Sequence, residues 1–196
     1  MRRTTAVMMA ALAVAVCAPR VSALTVVSLT GDKDGFGVGC PIASGLDYTD
    51  YGAYWADYRE AGDPAFTDYW YADDKSWSHT YSLGGMTPAS AELELFVAGI
   101  ADDATWDADV RVNGASVGVI PGIAGASDDT RLLAFGVPTA AITGSSDVTV
   151  DVSYSGDGYI IDYSELAIEV VPEPATLGLL AFGLAGLALS RRRRRK

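Results

Sequence analysis

Asp109-Val110-Arg111-Val112-Asn113-Gly114-Ala115-Ser116-Val117-Gly118-Val119-Ile120 is the stretch that decides the fold class. Val110 and Val112 alternate with charged residues, which is the period of a half-buried strand. Asn113-Gly114 then supplies the two residues that tolerate the left-handed backbone of a type I′ turn, and a second short run returns. An isolated hairpin is marginal in water, so this one needs further strands beside it.

The flanking sequence supplies them. Trp77, His79, Tyr81 and Leu83 alternate with Ser78, Thr80 and Ser82, and Leu93, Leu95 and Val97 alternate with Glu92, Glu94 and Phe96. Further runs are Leu24 to Leu29, Thr130 to Val137, and Asp147 to Tyr154 with Val148, Val150 and Val152 on one face. The last, Tyr159 to Val170, needs a bulge near Ser164, where its alternation changes phase. About eight strands separated by Gly, Pro and Asp turns predict an all-β fold, a single antiparallel β-sandwich over residues 24–171. No strand–helix–strand alternation is present, which argues against the α/β enzyme folds. One helix is expected, Tyr48 to Glu60, where Tyr51, Tyr54, Trp55 and Tyr58 recur at helical spacing before Gly62-Asp63-Pro64.

Both chain ends carry address signals. Arg2-Arg3, the apolar stretch Ala6 to Ala18 and the small residues Val21-Ser22-Ala23 read as a secretory signal peptide, residues 1–23, with Leu24 as the mature start. No apolar residues follow the arginine pair closely enough for a twin-arginine signal, and Val16 before Cys17 does not suit a lipobox. At the other end Pro172-Glu173-Pro174 precedes the uncharged run Ala175 to Leu189, then Ser190 and the basic block Arg191 to Lys196. The run is shorter than the roughly 20 residues of a usual spanning helix, but snorkelling arginines and local bilayer thinning extend its reach. The basic block belongs on the cytoplasmic side, so the residues before Pro172 lie outside the cytoplasm. Each proline holds its predecessor extended, leaving Pro172 to Pro174 open to a processing enzyme.

This three-part tail resembles the PEP-CTERM sorting domain of bacterial exported proteins, also called the C-terminal domain of ice-binding proteins, a label that does not imply ice binding. The resemblance implies a tail over residues 172–196 with a transmembrane helix at 175–190. It implies recognition of Pro172, Glu173 and Pro174 by exosortase, a membrane cysteine transpeptidase. The precursor is then anchored in the inner membrane, and the processed protein belongs to the cell surface or extracellular matrix.

Residues 24–171 hold five basic residues (Lys33, Arg59, Lys75, Arg111 and Arg131) against 24 Asp and Glu, a net charge of 5 − 24 = −19. The whole-chain value of −11 conceals this behind the cationic tail. Such a domain repels nucleic acid and anionic lipid, and suits solubility and divalent cations. Cys40 is the lone cysteine after residue 23, so no internal disulfide is available to it; a small half-buried residue before Pro41 is the plain reading.

Three groups are candidates for function. Asp32 and Asp34, set among Gly31, Gly35 and Gly37, can converge on Ca²⁺, or form a solvated turn. The aromatic stretch from Tyr48 to Tyr71 and the adjoining strand hold Trp55, Trp70 and Trp77 among many aspartates, a composition for stacking sugar rings or for packing over the core. His79 is the single histidine; no nucleophile elbow accompanies it, and a hydrogen-bonded strand histidine is its reading.

Val110 to Val119, together with Asp157-Gly158-Tyr159-Ile160-Ile161-Asp162-Tyr163-Ser164-Glu165-Leu166-Ala167-Ile168, is similar to the galactose-binding-like jelly rolls. That resemblance implies pairing of the first and last strands and a shared structural calcium, with Asp32 or Asp34 meeting Asp162. The functional expectation is a non-catalytic envelope or matrix protein that binds carbohydrate, an exopolysaccharide for instance, or assembles at the surface. The alternative is a secreted carbohydrate-active enzyme using paired carboxylates.

Overall fold

Valine and leucine alternation builds two stacked sheets. The computed structural model describes residues 23–53, 57–100, 102, 104–125, 128–153, 157–171 and 183. Residues 1–22 of the signal peptide, Trp55, the Pro172-Glu173-Pro174 motif, the helix expected at 175–190 apart from residue 183, and the basic cluster 191–196 lie outside the described residues. Among the described residues, no helix is long and apolar enough to cross a membrane.

The strands are β1 Leu24–Gly31, β2 Trp70–Tyr71, β3 Lys75–Thr80, β4 Thr87–Ala98, β5 Asp107–Val112, β6 Ala115–Pro121, β7 Arg131–Gly136, β8 Ser145–Val152 and β9 Tyr159–Val171. One sheet runs β1-β9-β4-β7, with β2 also on β9, and the other runs β3-β8-β5-β6. The ladders β1–β9, β2–β9, β3–β8, β4–β7, β5–β6 and β5–β8 are antiparallel. The expected antiparallel sandwich is therefore the observed fold. Asn113 (φ 48°) and Gly114 (φ 79°) make the anticipated left-handed turn between β5 and β6.

Between the sheets Leu93, Leu95, Val97, Trp106, Val110, Val112, Val148, Val150, Ile161, Leu166 and Ile168 form the main core. His79 lies inside it, with Nδ1 3.3 Å from Ser28 Oγ and Nε2 2.9 Å from Ser164 Oγ. Burial pushes its pKa down to about 4, because a charged imidazole here would lose its hydration.

β1 and β2 occupy one lane along β9. Gly31 pairs with Tyr163 and Trp70 with Ile160, so Ile161 and Asp162 face a break in that lane. Residues 32–69 leave through the break and return, covering the outer face of the sheet. A second hydrophobic cluster forms beneath them, with Phe36, Cys40, Tyr48 and Ala53 packed on Phe96, Ala98, Ile160 and Tyr163.

Three expectations need correction. The helix Tyr48 to Glu60 is a single 3₁₀ turn, Tyr48–Tyr51, because Gly52 takes φ 91° and ends it. Tyr48 is buried and Tyr51 exposed, while Tyr54 and Trp55 lie outside the described residues. The change of phase in β9, expected near Ser164, falls at Asp162–Tyr163. Tyr159 and Ile161 belong to the main core, as do Leu166, Ile168 and Val170, whereas Tyr163 belongs to the outer cluster; Asp162 turns outward with Tyr163, toward Gly35 and Phe36. The two-residue strand β2 was not anticipated.

Candidate metal centre

The phase change in β9 determines where Asp162 points. Its Oδ1 accepts hydrogen bonds from the backbone N–H of Gly35 (3.0 Å) and Phe36 (2.8 Å). Successive N–H groups of this kind form a concave nest for an anionic oxygen. The nest holds Phe36 at φ 61°, a left-handed conformation rare for a bulky residue. Asp34 closes the same turn by accepting from Gly37 N–H at 2.7 Å. At the mouth of the break Gly31 has φ 95°, and a Cβ there would lie 2.4 Å from the Asp162 carbonyl oxygen; only glycine fits.

Asp68 enters from the returning end of the excursion, with φ 55°. Its N–H donates to the Ile161 carbonyl at 2.8 Å, and its own carbonyl accepts from Tyr58 N–H at 3.1 Å. The backbone is thereby satisfied while the carboxylate is not. Both Asp68 carboxylate oxygens, and Asp162 Oδ2, are buried without a hydrogen-bond partner. Asp68 is 2% exposed and Asp162 0%.

Asp32, Asp34, Asp68 and Asp162 each place one carboxylate oxygen so that all four lie within 4.8 Å of one another. Oxygens around a Ca²⁺ at about 2.3–2.6 Å are separated by no more than about twice that length, so the spacing fits. An all-carboxylate set is a hard-cation set, unlike the sulfur and imidazole donors that select zinc or copper. Among the described residues no protein cation neutralises it. Lys33 pairs with Glu165, Arg59 with Asp57, Lys75 with Asp73, Arg111 with Asp109 and Asp151, and Arg131 with Asp129. Burial, then the charges of Asp162, Asp34 and Asp32, push the Asp68 pKa up to about 8. Burial likewise raises that of Asp162, against the lowering effect of the Phe36 N–H. Carboxylates buried this close to others are costly to ionise unless a counter-ion accompanies them.

The structure brings together the three aspartates anticipated from sequence and adds Asp68. The tryptophans are dispersed. Trp77 is buried and stacks on Phe66 at 4.3 Å and 9°, so it serves the core. Trp70 is half-buried in β2. Among the described residues the exposed rings are instead Tyr51 and Tyr69, with Arg59 over Tyr69 at 5.1 Å.

Comparison with known proteins gives three findings. No curated protein matches the sequence. Among solved structures, dimeric latent PorU from Porphyromonas gingivalis aligns at TM-score 0.50 and 10% identity over 79% of this chain and 13% of that one. This chain therefore spans a small part of PorU's length, and what the two share is the fold. The CBM36-1 domain of a multidomain xylanase from the hindgut metagenome of Trinervitermes trinervoides aligns at TM-score 0.37 and 12% identity, over 73% of this chain and 96% of that one. At the C-terminal end residues 170–195 match the PEP-CTERM protein-sorting motif; the chain carries the exosortase recognition signal of an exported protein.

Proposed function

We propose that this is an exported cell-envelope or extracellular-matrix protein whose β-sandwich is a non-catalytic, calcium-stabilised module that binds carbohydrate at the surface. The carrying observation is the carboxylate quartet, in which Asp68 and Asp162 are buried with unpartnered oxygens. Asp32, Asp34, Asp68 and Asp162 would hold Ca²⁺, and the bound ion supplies positive charge that fixes the excursion, with no chemistry of its own.

The burial of the quartet also weighs against a glycosidase. Such enzymes need two carboxylates about 5–10 Å apart flanking a sugar, and a sugar cannot reach groups as enclosed as Asp68 and Asp162. His79 is equally enclosed, and its ring nitrogens meet serine hydroxyls rather than a carboxylate. Carbohydrate is the ligand class because exposed Tyr69 lies beside Arg59 and Asp57, an arrangement of ring face and hydrogen-bonding groups on one surface.

A glycan array probed with the full-length protein in calcium tests this reading. Retention of an oligosaccharide class, lost in Tyr69→Ala, is expected. Cleavage of any arrayed glycan moves the protein to the enzymes. Export is tested separately: replacing Pro172-Glu173-Pro174 by alanines leaves the precursor uncleaved in the inner membrane, and normal maturation of that variant refutes processing at this motif.

A further inference from the structure

The quartet sits at the two roots of one excursion. Asp32 and Asp34 lie within three residues of the end of β1, Asp68 lies two residues before β2, and Asp162 stands opposite the break between them. A cation bound there ties together both ends of residues 32–69 and the strand they leave. The tie matters because the excursion has few sheet-like bonds of its own. Its described links to the rest of the sandwich include Gly45 N–H to Thr130, Tyr48 N–H to Asp128, Thr130 N–H to Leu46 and Asp68 N–H to Ile161. Beneath it lies the outer cluster, which holds the thiol of Cys40, 3% exposed.

We infer that the four aspartates are a calcium-operated latch: bound Ca²⁺ clamps the excursion over the outer face of the sheet, and its removal lets the excursion lift and uncovers Cys40 while the sandwich beneath stays folded. This rests on the cation reading above. Without an ion the root favours opening, since Asp68 and Asp162 are buried with unpartnered oxygens beside the more exposed Asp32 and Asp34, and among the described residues none of the four has a protein cation. Extracellular calcium modules work at dissociation constants of about 10⁻⁴–10⁻³ M. A latch in that range responds to millimolar calcium.

Cys40 reports the state of the latch. In the full-length chain carrying Cys17→Ser it is the single thiol, and its labelling by a maleimide is timed in chelator, in calcium, and in chelator with sodium at matched ionic strength. Labelling about tenfold or more slower in calcium is expected, as for any local opening suppressed by a ligand. Asp68→Asn abolishes the calcium effect, whereas Asp102→Asn, outside the quartet, keeps it. The sheet signal in circular dichroism persists in chelator.

Calcium bound in calorimetry with no change in labelling overturns the latch and leaves the site standing. No calcium binding overturns both. Equal protection by sodium makes the effect charge screening, and loss of the sheet signal in chelator means that the ion holds the whole sandwich; either result overturns the latch.

Discussion

The space between the sheets and the layer outside them are two cores of different construction. The inner one is built from alternating aliphatic residues on many strands, with Leu93, Leu95, Val97, Val110 and Val148 all at 0% exposure. Its stability is spread over many contacts. The outer one is small, covered by residues 32–69 with little regular structure, and tied down by a few polar bonds and a carboxylate cluster. A region of this kind belongs at the low-stability end of a protein's local openings. Aliphatic periodicity makes a region robust, whereas concentrated polar fastening makes it responsive to ions.

The comparison can be broken or sharpened in four ways. The largest effect belongs to the inner core: Trp106→Ala, at a residue 1% exposed, should cost about 3–5 kcal/mol. Denaturant unfolding with calcium and with chelator should show the same loss, because Trp106 lies in the other cluster from the quartet. A loss that vanishes in calcium would merge the two regions.

Acid should act next, again on the inner core. His79 has a native pKa of about 4 against 6.5 for the free side chain. As the pH falls through 6.5 the unfolded chain takes up a proton that the native one refuses, until about pH 4. Stability is thus complete above pH 6.5 and declines by roughly 3 kcal/mol across that window. His79→Gln should flatten this part of the pH profile of unfolding.

Calcium addresses the outer region. At one hundred times its dissociation constant it should add about 2.7 kcal/mol, raising the melting temperature by roughly 5–10 °C. Sodium at equal ionic strength should not reproduce this shift. In chelator the pH dependence should run opposite to that of His79. The native pKa of Asp68 is raised above its unfolded value of 3.8 to about 8, so its contribution is present at low pH and is lost as the pH rises toward 8. Equal slopes in calcium and chelator between pH 6.5 and 8 would disconnect Asp68 from the ion.

The smallest effect tests a single turn. Asn113→Gly keeps the left-handed backbone but removes side-chain bonds from Nδ2 to the Ala141 carbonyl and from Asp147 N–H to Oδ1. About 1 kcal/mol should be lost, with no change in calcium affinity.

How legible each region was in the sequence follows the same division. The strands around Trp77, Leu95 and Val150 announced themselves, since period-two alternation is a local property. Asn113-Gly114 was equally local. Asp32 and Asp34 were legible from their glycine-rich loop, and Asp162 through the resemblance of the last strand to a known fold family. Asp68 was hidden among the aspartates of an aromatic stretch, because its place depends on β2, two residues long, finding Ile160 and Tyr159 across the molecule. The expected helix after Asp47 failed for a related reason. Ring spacing suggested it, but Gly52 and the burial of Tyr48 decided the backbone. The outer layer is specified by contacts distant in sequence, which a pattern of neighbours does not carry.

The shared lane of β1 and β2 has a consequence for how this protein can change. Topologically, residues 32–69 interrupt a strand and return to its continuation. Closing a longer loop costs only about 0.6 kcal/mol for each doubling of its length. Sequence between the two roots can therefore be exchanged or extended with little effect on the sheet ladders, provided that Gly31, Asp32, Asp34 and Asp68 are kept. The break in the lane is a natural insertion point, and foreign segments grafted there would be displayed from a scaffold that holds both of their ends against one strand.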